Sequence, residues 1–250
     1  KSTKYSYTGE SIIKKVQYGT SKELNENGDG IPTLRLNEIK DTFISEKPAK
    51  FCSKLSDAEI KSLYLRKGDV LICRTNGNAN YVGRSGIVME DTDYIFASYL
   101  YRIVPDLEKI NSETLVAFLN SKYGREQINK QSMQSNQVNF SPAKFRKISI
   151  PKICTRIQYT IAKMYSTAYT NIENANNKYS QAENLLISEL GLENFSPSKE
   201  KVSIKTLKES FLKTGRLDSE YYQPKYDEIL NKITKYGCSE FTNFVDSYTT

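Results

Sequence analysis

The sequence predicts an α+β protein in three parts: a mixed α/β domain over residues 1–152, a long helix of the coiled-coil type over 153–191, and a linker with the beginning of further structure over 192–250. Three observations carry this. Short β-branched or aromatic runs bounded by Gly, Asn, Asp or Pro recur before position 151, the pattern of strands. Between Arg156 and Leu190 there is neither Pro nor Gly, and apolar or small residues recur at steps of three and four. Charge is divided unevenly: residues 1–150 hold 23 Lys and Arg against 17 Asp and Glu, whereas residues 151–250 hold 13 against 12.

In chain order, strands are expected at Thr33–Leu36, Asp69–Arg74, Ser85–Met89, Phe96–Val104 and Arg146–Ile150. A helix should start at Ser56-Asp57-Ala58-Glu59, a spacing that lets the Ser and Glu side chains cap each other's end of the first turn, and end near Leu65. Another should run from Ser112 to Ile128, with Leu115, Phe118, Leu119, Tyr123 and Ile128 as its apolar stripe. Ser141-Pro142 opens a third, short one, because Pro suits the first helical position.

The long helix carries Ile157, Ile161, Met164, Ala168, Ile172, Ala175, Tyr179, Ala182 and Leu186 along one stripe. At 1.5 Å per residue it spans about 50 Å. Its charges cancel, Arg156, Lys163 and Lys178 against Glu173, Glu183 and Glu189, so it is no DNA-binding stripe. The stripe is narrow and rich in Ala, which favours pairing with another helix over burial inside one globular domain. Gly191 stands where a helix C-cap belongs. A polar connector, 193–201, follows, and Pro224 should open a helix carrying Tyr226, Ile229, Leu230 and Ile233.

Composition excludes several functions. With 38% hydrophobic and 26% charged residues the chain can bury a core. No apolar run of about 18 residues exists and the start lacks a signal-peptide stretch, so neither membrane insertion nor Sec export is expected. The first residue is Lys, not Met, and a processed or excised piece of a longer chain is expected. There is no histidine, which removes Ser-His and Cys-His pairs and His-ligated metals. Cys52, Cys73, Cys154 and Cys238 are 21, 81 and 84 positions apart, far from any zinc spacing, and read as reduced, mostly buried thiols of a cytosolic protein. No Walker loop, glycine-rich cofactor fingerprint or Asn-Pro-Pro-Tyr motif occurs, so no cofactor and no metal are expected.

The basic front part suits a polyanion, since Lys and Arg that displace counterions from phosphates supply affinity without sequence preference. AT-biased codon usage would produce the same Lys-rich composition. Two polar loops refine the choice. Asn76, Asn78 and Tyr81, flanked by Arg74 and Arg84, form a donor and acceptor set suited to base edges, although an Asn-Gly hairpin turn needs no ligand. Asn136, Gln137 and Asn139 can pair bidentately with adenine and are followed by Lys144, Arg146 and Lys147; a solvated loop is the plain alternative.

These residues assemble into an ordered set. Gly30 to Ile39, Leu65 to Val88, Phe96-Ala97-Ser98-Tyr99-Leu100-Tyr101-Arg102, Leu115 to Ser121, Asn136 to Phe140 and Ile148-Ser149-Ile150-Pro151, ahead of a long helix, resemble a target-recognition domain with its spacer helix from the DNA-specificity subunit of type I restriction-modification enzymes. Gly215 to Tyr226 resembles the lead-in to a second such domain. Of the Glu-Gln pair usual at the helix start, only Gln158 is present.

The resemblance implies a twisted, partly barrel-like sheet and a cytoplasmic, non-catalytic subunit that reads one half of a bipartite target in double-stranded DNA. It also implies docking to methyltransferase subunits and the restriction motor, and helix pairing that could make a homodimer. On that basis Asn76, Asn78, Tyr81, Asn136, Gln137 and Asn139 are expected to read bases, and Lys15, Lys22, Arg35, Arg74, Arg84, Lys144 and Arg146 to meet phosphates or guanine. Two alternatives stay open: an excised recognition region of a single-chain type IIG-like restriction-methyltransferase, and a coiled-coil adaptor that binds no DNA.

Overall fold

The computed structural model describes residues 4–40, 42–44, 47–132, 138–239 and 243–244, with Lys40 described by its backbone. The chain divides into two compact units, Lys1–Ile172 and Glu173–Thr250. In the first unit the order is β1 (Ser6–Thr8), β2 (Ile13–Tyr18), β3 (Ile31–Leu34), β4 (Ile39–Lys40), β5 (Phe43–Ile44), β6 (Phe51–Cys52), α1 (Asp57–Leu63), β7 (Val70–Cys73), β8 (Ser85–Ile87), β9 (Ile95–Phe96), β10 (Leu100–Pro105), α2 (Ser112–Asn120), α3 (Lys122–Ser132), α4 (Pro142–Phe145) and β11 (Ser149–Pro151), after which α5 (Thr155–Glu189) begins. Six strands form the main sheet in the order β2-β10-β7-β8-β5-β4, and smaller sheets join β6-β3-β9 and β1-β11. No pairing joins β2 to β4 among the described residues, so the main sheet is open.

The main sheet is covered on both faces, and its central strands show why. Side chains alternate across a strand. Val70 and Ile72 of β7 join Tyr101 and Ile103 of β10 in one core with Leu115, Leu119 and Ile128. Leu71 and Cys73, with Leu100, lie in a second core with Leu34, Leu63, Ile95 and Phe96. A strand buried on both faces reads as a continuous apolar run, which is what Val70-Leu71-Ile72-Cys73 is. Arg102 reaches into the second side, donating to the Asp69 carboxylate at 2.8 Å, to the carbonyls of Tyr64 at 2.8 Å and Ser62 at 2.7 Å, and to the Gln17 side chain.

The expected cap of α1 is present: Glu59 N–H donates to the Ser56 hydroxyl, and the Glu59 carboxylate accepts from Ser56 N–H at 2.9 Å. The single helix expected from Ser112 to Ile128 is instead two. Ser121 is extended, its hydroxyl donates to the Phe118 carbonyl at 2.7 Å, and the same oxygen accepts from Gly124 N–H at 3.2 Å. A Cβ on Gly124 would stand 2.1 Å from the Phe118 oxygen, so the tight step between α2 and α3 needs glycine. Tyr123 consequently leaves the expected apolar stripe and is 72% exposed.

The strand expected over Phe96–Val104 is likewise broken. A turn closed by Leu100 N–H on the Ala97 carbonyl sends β9 to the small sheet and β10 to the main one. Arg146 and Lys147 close the turn of α4 rather than opening a strand, which starts at Ser149. Of the four thiols only Cys52 and Cys73 are buried; Cys154 and Cys238 are exposed, because they stand at the start of α5 and after its unit's last helical turn rather than on a strand.

Gln158 ties the first turn of α5 to the loop before α2. Its Oε1 accepts from Asn111 N–H at 2.8 Å, its Nε2 donates to the Ile153 and Lys109 carbonyls, and its backbone carbonyl accepts from the Asn111 amide at 3.0 Å. Tyr165 and Tyr169 continue this contact, their ring centroids 5.6 and 5.8 Å from that of Phe43.

In the second unit, α5 ends at a left-handed Gly191, with Leu192 N–H on the Ile187 carbonyl and Gly191 N–H on that of Ser188. Two helices follow, α6 (Phe211–Thr214) and α7 (Pro224–Ile233). Polar contacts hold the segment between them: Arg216 forks onto Asp218 with two bonds of 2.7 Å, and the Glu220 carboxylate accepts from Tyr226 and Lys225 of α7. Among the described residues of this unit no hydrophobic side chain is fully buried.

Candidate nucleic-acid interface

The segment between β7 and β8 is a folded loop, not a two-residue turn. Asn76 Oδ1 accepts from Asn78 N–H at 2.8 Å, and Asn78 Oδ1 accepts from Asn80 N–H at 3.0 Å, capping a short 3-10 turn over Ala79–Tyr81. Each amide thus shapes the loop with its oxygen. Gly83, at a φ of +77°, closes the loop by donating to the Cys73 carbonyl at 2.8 Å. Here a Cβ would stand 2.4 Å from Ile128 Cγ2, so the loop base rests directly on α3. The Arg84 guanidinium lies over the Tyr81 ring, 4.6 Å from its centroid, which leaves both side chains ordered and partly exposed.

The second polar loop meets the first. Thr75 and Asn139 pair as an antiparallel bridge, Phe140 N–H donates to the Arg74 carbonyl at 2.8 Å, and the Lys144 ammonium donates to the Asn139 carbonyl at 2.9 Å. The Phe140 ring is buried against Phe145 and acts as the anchor that brings Asn139 to the end of β7. Asn139 Oδ1 and Arg74 Nε are buried without a hydrogen-bond partner among the described residues. Arg74 also lies over the Tyr18 ring, 5.4 Å from the centroid. Asn136 and Gln137 lie outside the described residues.

α3 contributes a residue that sequence reasoning missed. Arg125 donates to the Asn80 carbonyl at 3.1 Å and, with Arg84, Asn80 and Asn120, lines a cleft of about 250 Å³. A second cleft of about 300 Å³ joins Arg84 to Asn76, Tyr81, Leu36, Asn37 and Ile39. Among the described residues no carboxylate forms an ion pair with Arg74, Arg84, Arg125 or Lys144. No group of three or more His, Cys, Asp or Glu able to hold a metal occurs there or elsewhere among them.

The sequence pattern anticipates the two polar loops with their flanking basic residues, though not their junction, and a comparison with known proteins adds a resemblance. Over 79 residues, 32% of its length, the chain is 32% identical to the specificity subunit of the type I restriction enzyme EcoKI of Escherichia coli (strain K12), covering 17% of that protein. The chain resembles a type I DNA-specificity subunit. No family model matches it. Among solved structures, the specificity subunit of Thermoanaerobacter tengcongensis aligns at a TM-score of 0.43 and 15% identity, covering 69% of this chain and 39% of that one. The type I S subunit from M. genitalium aligns at 0.47 and 13%, covering 78% and 46%, and a chain from a type I restriction-modification assembly at 0.47 and 16%, covering 72% and 41%. The chain spans less than half the length of each of these proteins.

The remaining residues expected to contact DNA or pair helices are placed as follows. Arg35 pairs with the buried carboxylate of Glu38 at 3.1 Å, and Arg146 with Glu10 at 2.8 Å, so both charges are already matched. Lys22 stands near Glu59, whose carboxyl is held below its usual range by the Ser56 N–H and hydroxyl, with a smaller effect from Lys22. Lys15 is exposed on β2 and, by strand alternation, shares the face of Gln17 rather than that of Tyr18 and Arg74. On α5, Gln158, Ala162, Tyr165 and Tyr169 are at least half-buried, while Ile157, Met164, Ala168, Ile172, Ala175, Tyr179, Ala182 and Leu186 are exposed and Ile161 is half-buried. No described helix is long and apolar enough to cross a membrane.

Proposed function

We propose that this chain is a sequence-specific DNA-binding element of a type I restriction-modification system. Residues 1–152 read one half of a bipartite target, chiefly in the major groove, and the chain itself performs no chemistry. The observation that carries the reading is the bridge of Thr75 with Asn139, which brings Asn139 to the base of the loop that holds Asn76, Asn78 and Tyr81. Asn76, Asn78 and Asn139 act on base edges, with Tyr81 beside them. Arg74, Arg84 and Lys144 hold the phosphates that fix the register. The helix over 153–191 sets the distance to a second half-site by pairing through its exposed stripe with another helix, including one from a second copy of the chain. Residues 192–250 serve as linker and lead-in to a second recognition half. Methyltransferase subunits, and through them the restriction motor, dock on the assembled rod.

Duplex binding as a function of salt tests this reading. The expected result is an affinity that falls linearly in a log-log plot, with a slope of about −0.9 per phosphate neutralised, and a preference for one short motif. Affinity independent of salt would point instead to a coiled-coil adaptor.

A further inference from the structure

The cleft between the loop of β7–β8 and α3 joins Arg84, assigned above to phosphate contact, to Arg125, which has no role in that reading. Two guanidiniums, of Arg84 and Arg125, converge on it with no carboxylate partner among the described residues. Both are held in place before any ligand arrives. Arg84 is stacked on Tyr81, and Arg125 is tethered by its bond to the Asn80 carbonyl. The third wall is equally fixed: Asn120 accepts from Ser85 N–H at 3.1 Å and donates to the Ser85 carbonyl at 2.8 Å, so its amide is spent on the β8 backbone. Within this frame the Arg125 Nη1 is buried and has no hydrogen-bond acceptor among the described residues.

We infer that the Arg84–Arg125 cleft is a phosphodiester clamp, which seats one DNA backbone phosphate beside the base-reading loop; the inference rests on the DNA-binding reading above. A neutral guanine edge would satisfy one guanidinium through its two acceptors but would leave two like charges facing each other. A phosphate offers negative charge and several acceptor oxygens at once and can take a fork from each arginine. Burial, followed by the Arg84 charge, depresses the Arg125 pKa, and an anion in the cleft opposes that shift by favouring the charged form. Because Arg84 also lines the neighbouring cleft with Asn76 and Tyr81, the seated phosphate fixes the position of the reading loop along the strand.

The test uses the full 250-residue chain and a duplex carrying single methylphosphonate linkages, each of which removes one phosphate charge. In Arg125→Gln, affinity for all duplex sequences should fall about tenfold, and the salt slope should lose about 0.9. One methylphosphonate position should weaken the wild type by at least that factor, cost Arg125→Gln and Arg84→Gln less than it costs the wild type, and cost the double variant nothing further. Arg125→Lys should keep the slope yet bind several-fold more weakly, since it retains the charge without the fork. An unchanged slope in Arg125→Gln, with wild-type binding intact, overturns the clamp and leaves the loop reading standing. A penalty at every linkage that is the same in wild type and variants also overturns the clamp, and marks Arg125 as a support for the Asn80 turn. A wild type with no salt-dependent affinity overturns the DNA-binding reading and the clamp with it.

Discussion

The Asn139 side chain sits at the bridge to Thr75 with its Oδ1 buried and unpaired among the described residues. A buried carbonyl left without a donor costs about 1–3 kcal/mol, and native proteins tolerate such groups chiefly where function needs them. Asn139→Ala should therefore be neutral or stabilising by up to about 1 kcal/mol in a denaturant titration, while lowering DNA sequence preference. Destabilisation without loss of preference would make Asn139 a structural residue only.

Phe140, the neighbour that anchors this bridge, is fully buried. Phe140→Ala should cost about 3–5 kcal/mol of stability, the usual range for a buried aromatic ring, with a matching fall in the unfolding midpoint.

Arg102 and Asp69 form a buried ion pair under the end of α1, both side chains nearly inaccessible. Removing one partner strands the other, so Arg102→Ala should destabilise by about 3–5 kcal/mol, whereas replacing both with apolar residues of similar volume should cost far less. A double-mutant cycle in urea measures the difference.

The fold was legible where burial leaves a period. The apolar run of β7, the capping box at Ser56 and the unbroken helix pattern after Arg156 each follow from local chemistry and are found nearly where expected. What escaped the sequence depends on contacts distant along the chain. The α2–α3 break rests on Gly124 meeting the Phe118 carbonyl, and β2 hides behind exposed Lys14 and Lys15 on a sheet edge. The polar loops were legible by composition, but their meeting at Thr75 and Asn139 was not, and neither was Arg125, whose position follows from that helix break. Along α5 the apolar stripe was visible, yet Tyr165 and Tyr169, on a neighbouring face, make the domain contact.

Gln158 bonds the start of α5 through both ends of its amide. With a net value of about 1 kcal/mol per hydrogen bond, Gln158→Ala should cost about 2–3 kcal/mol. It should also speed hydrogen exchange at Asn111 while leaving that at Ile72 in proportion to global stability. Equal effects at both amides would mean that the helix start is not a separate joint.

Burial pushes the Cys73 thiol up to about 11 from an ordinary value of 9.0. The folded state therefore holds this proton where the unfolded state has lost it, so the Cys73 contribution is complete below pH 9 and lost as pH rises toward 11. Cys73→Ala should flatten the decline of stability in that window. In the native protein at pH 8, iodoacetamide should label Cys154 and Cys238 and spare Cys52 and Cys73, as mass spectrometry would show.

The most direct test of the joined-loop reading is enrichment from a pool of random duplexes at fixed salt, comparing the wild type with Asn76→Ala and Asn139→Ala. The wild type should enrich one short motif, and each variant should lose about 1–3 kcal/mol of discrimination at a single base position while keeping its salt slope. Identical motifs and identical discrimination in all three proteins would contradict the account.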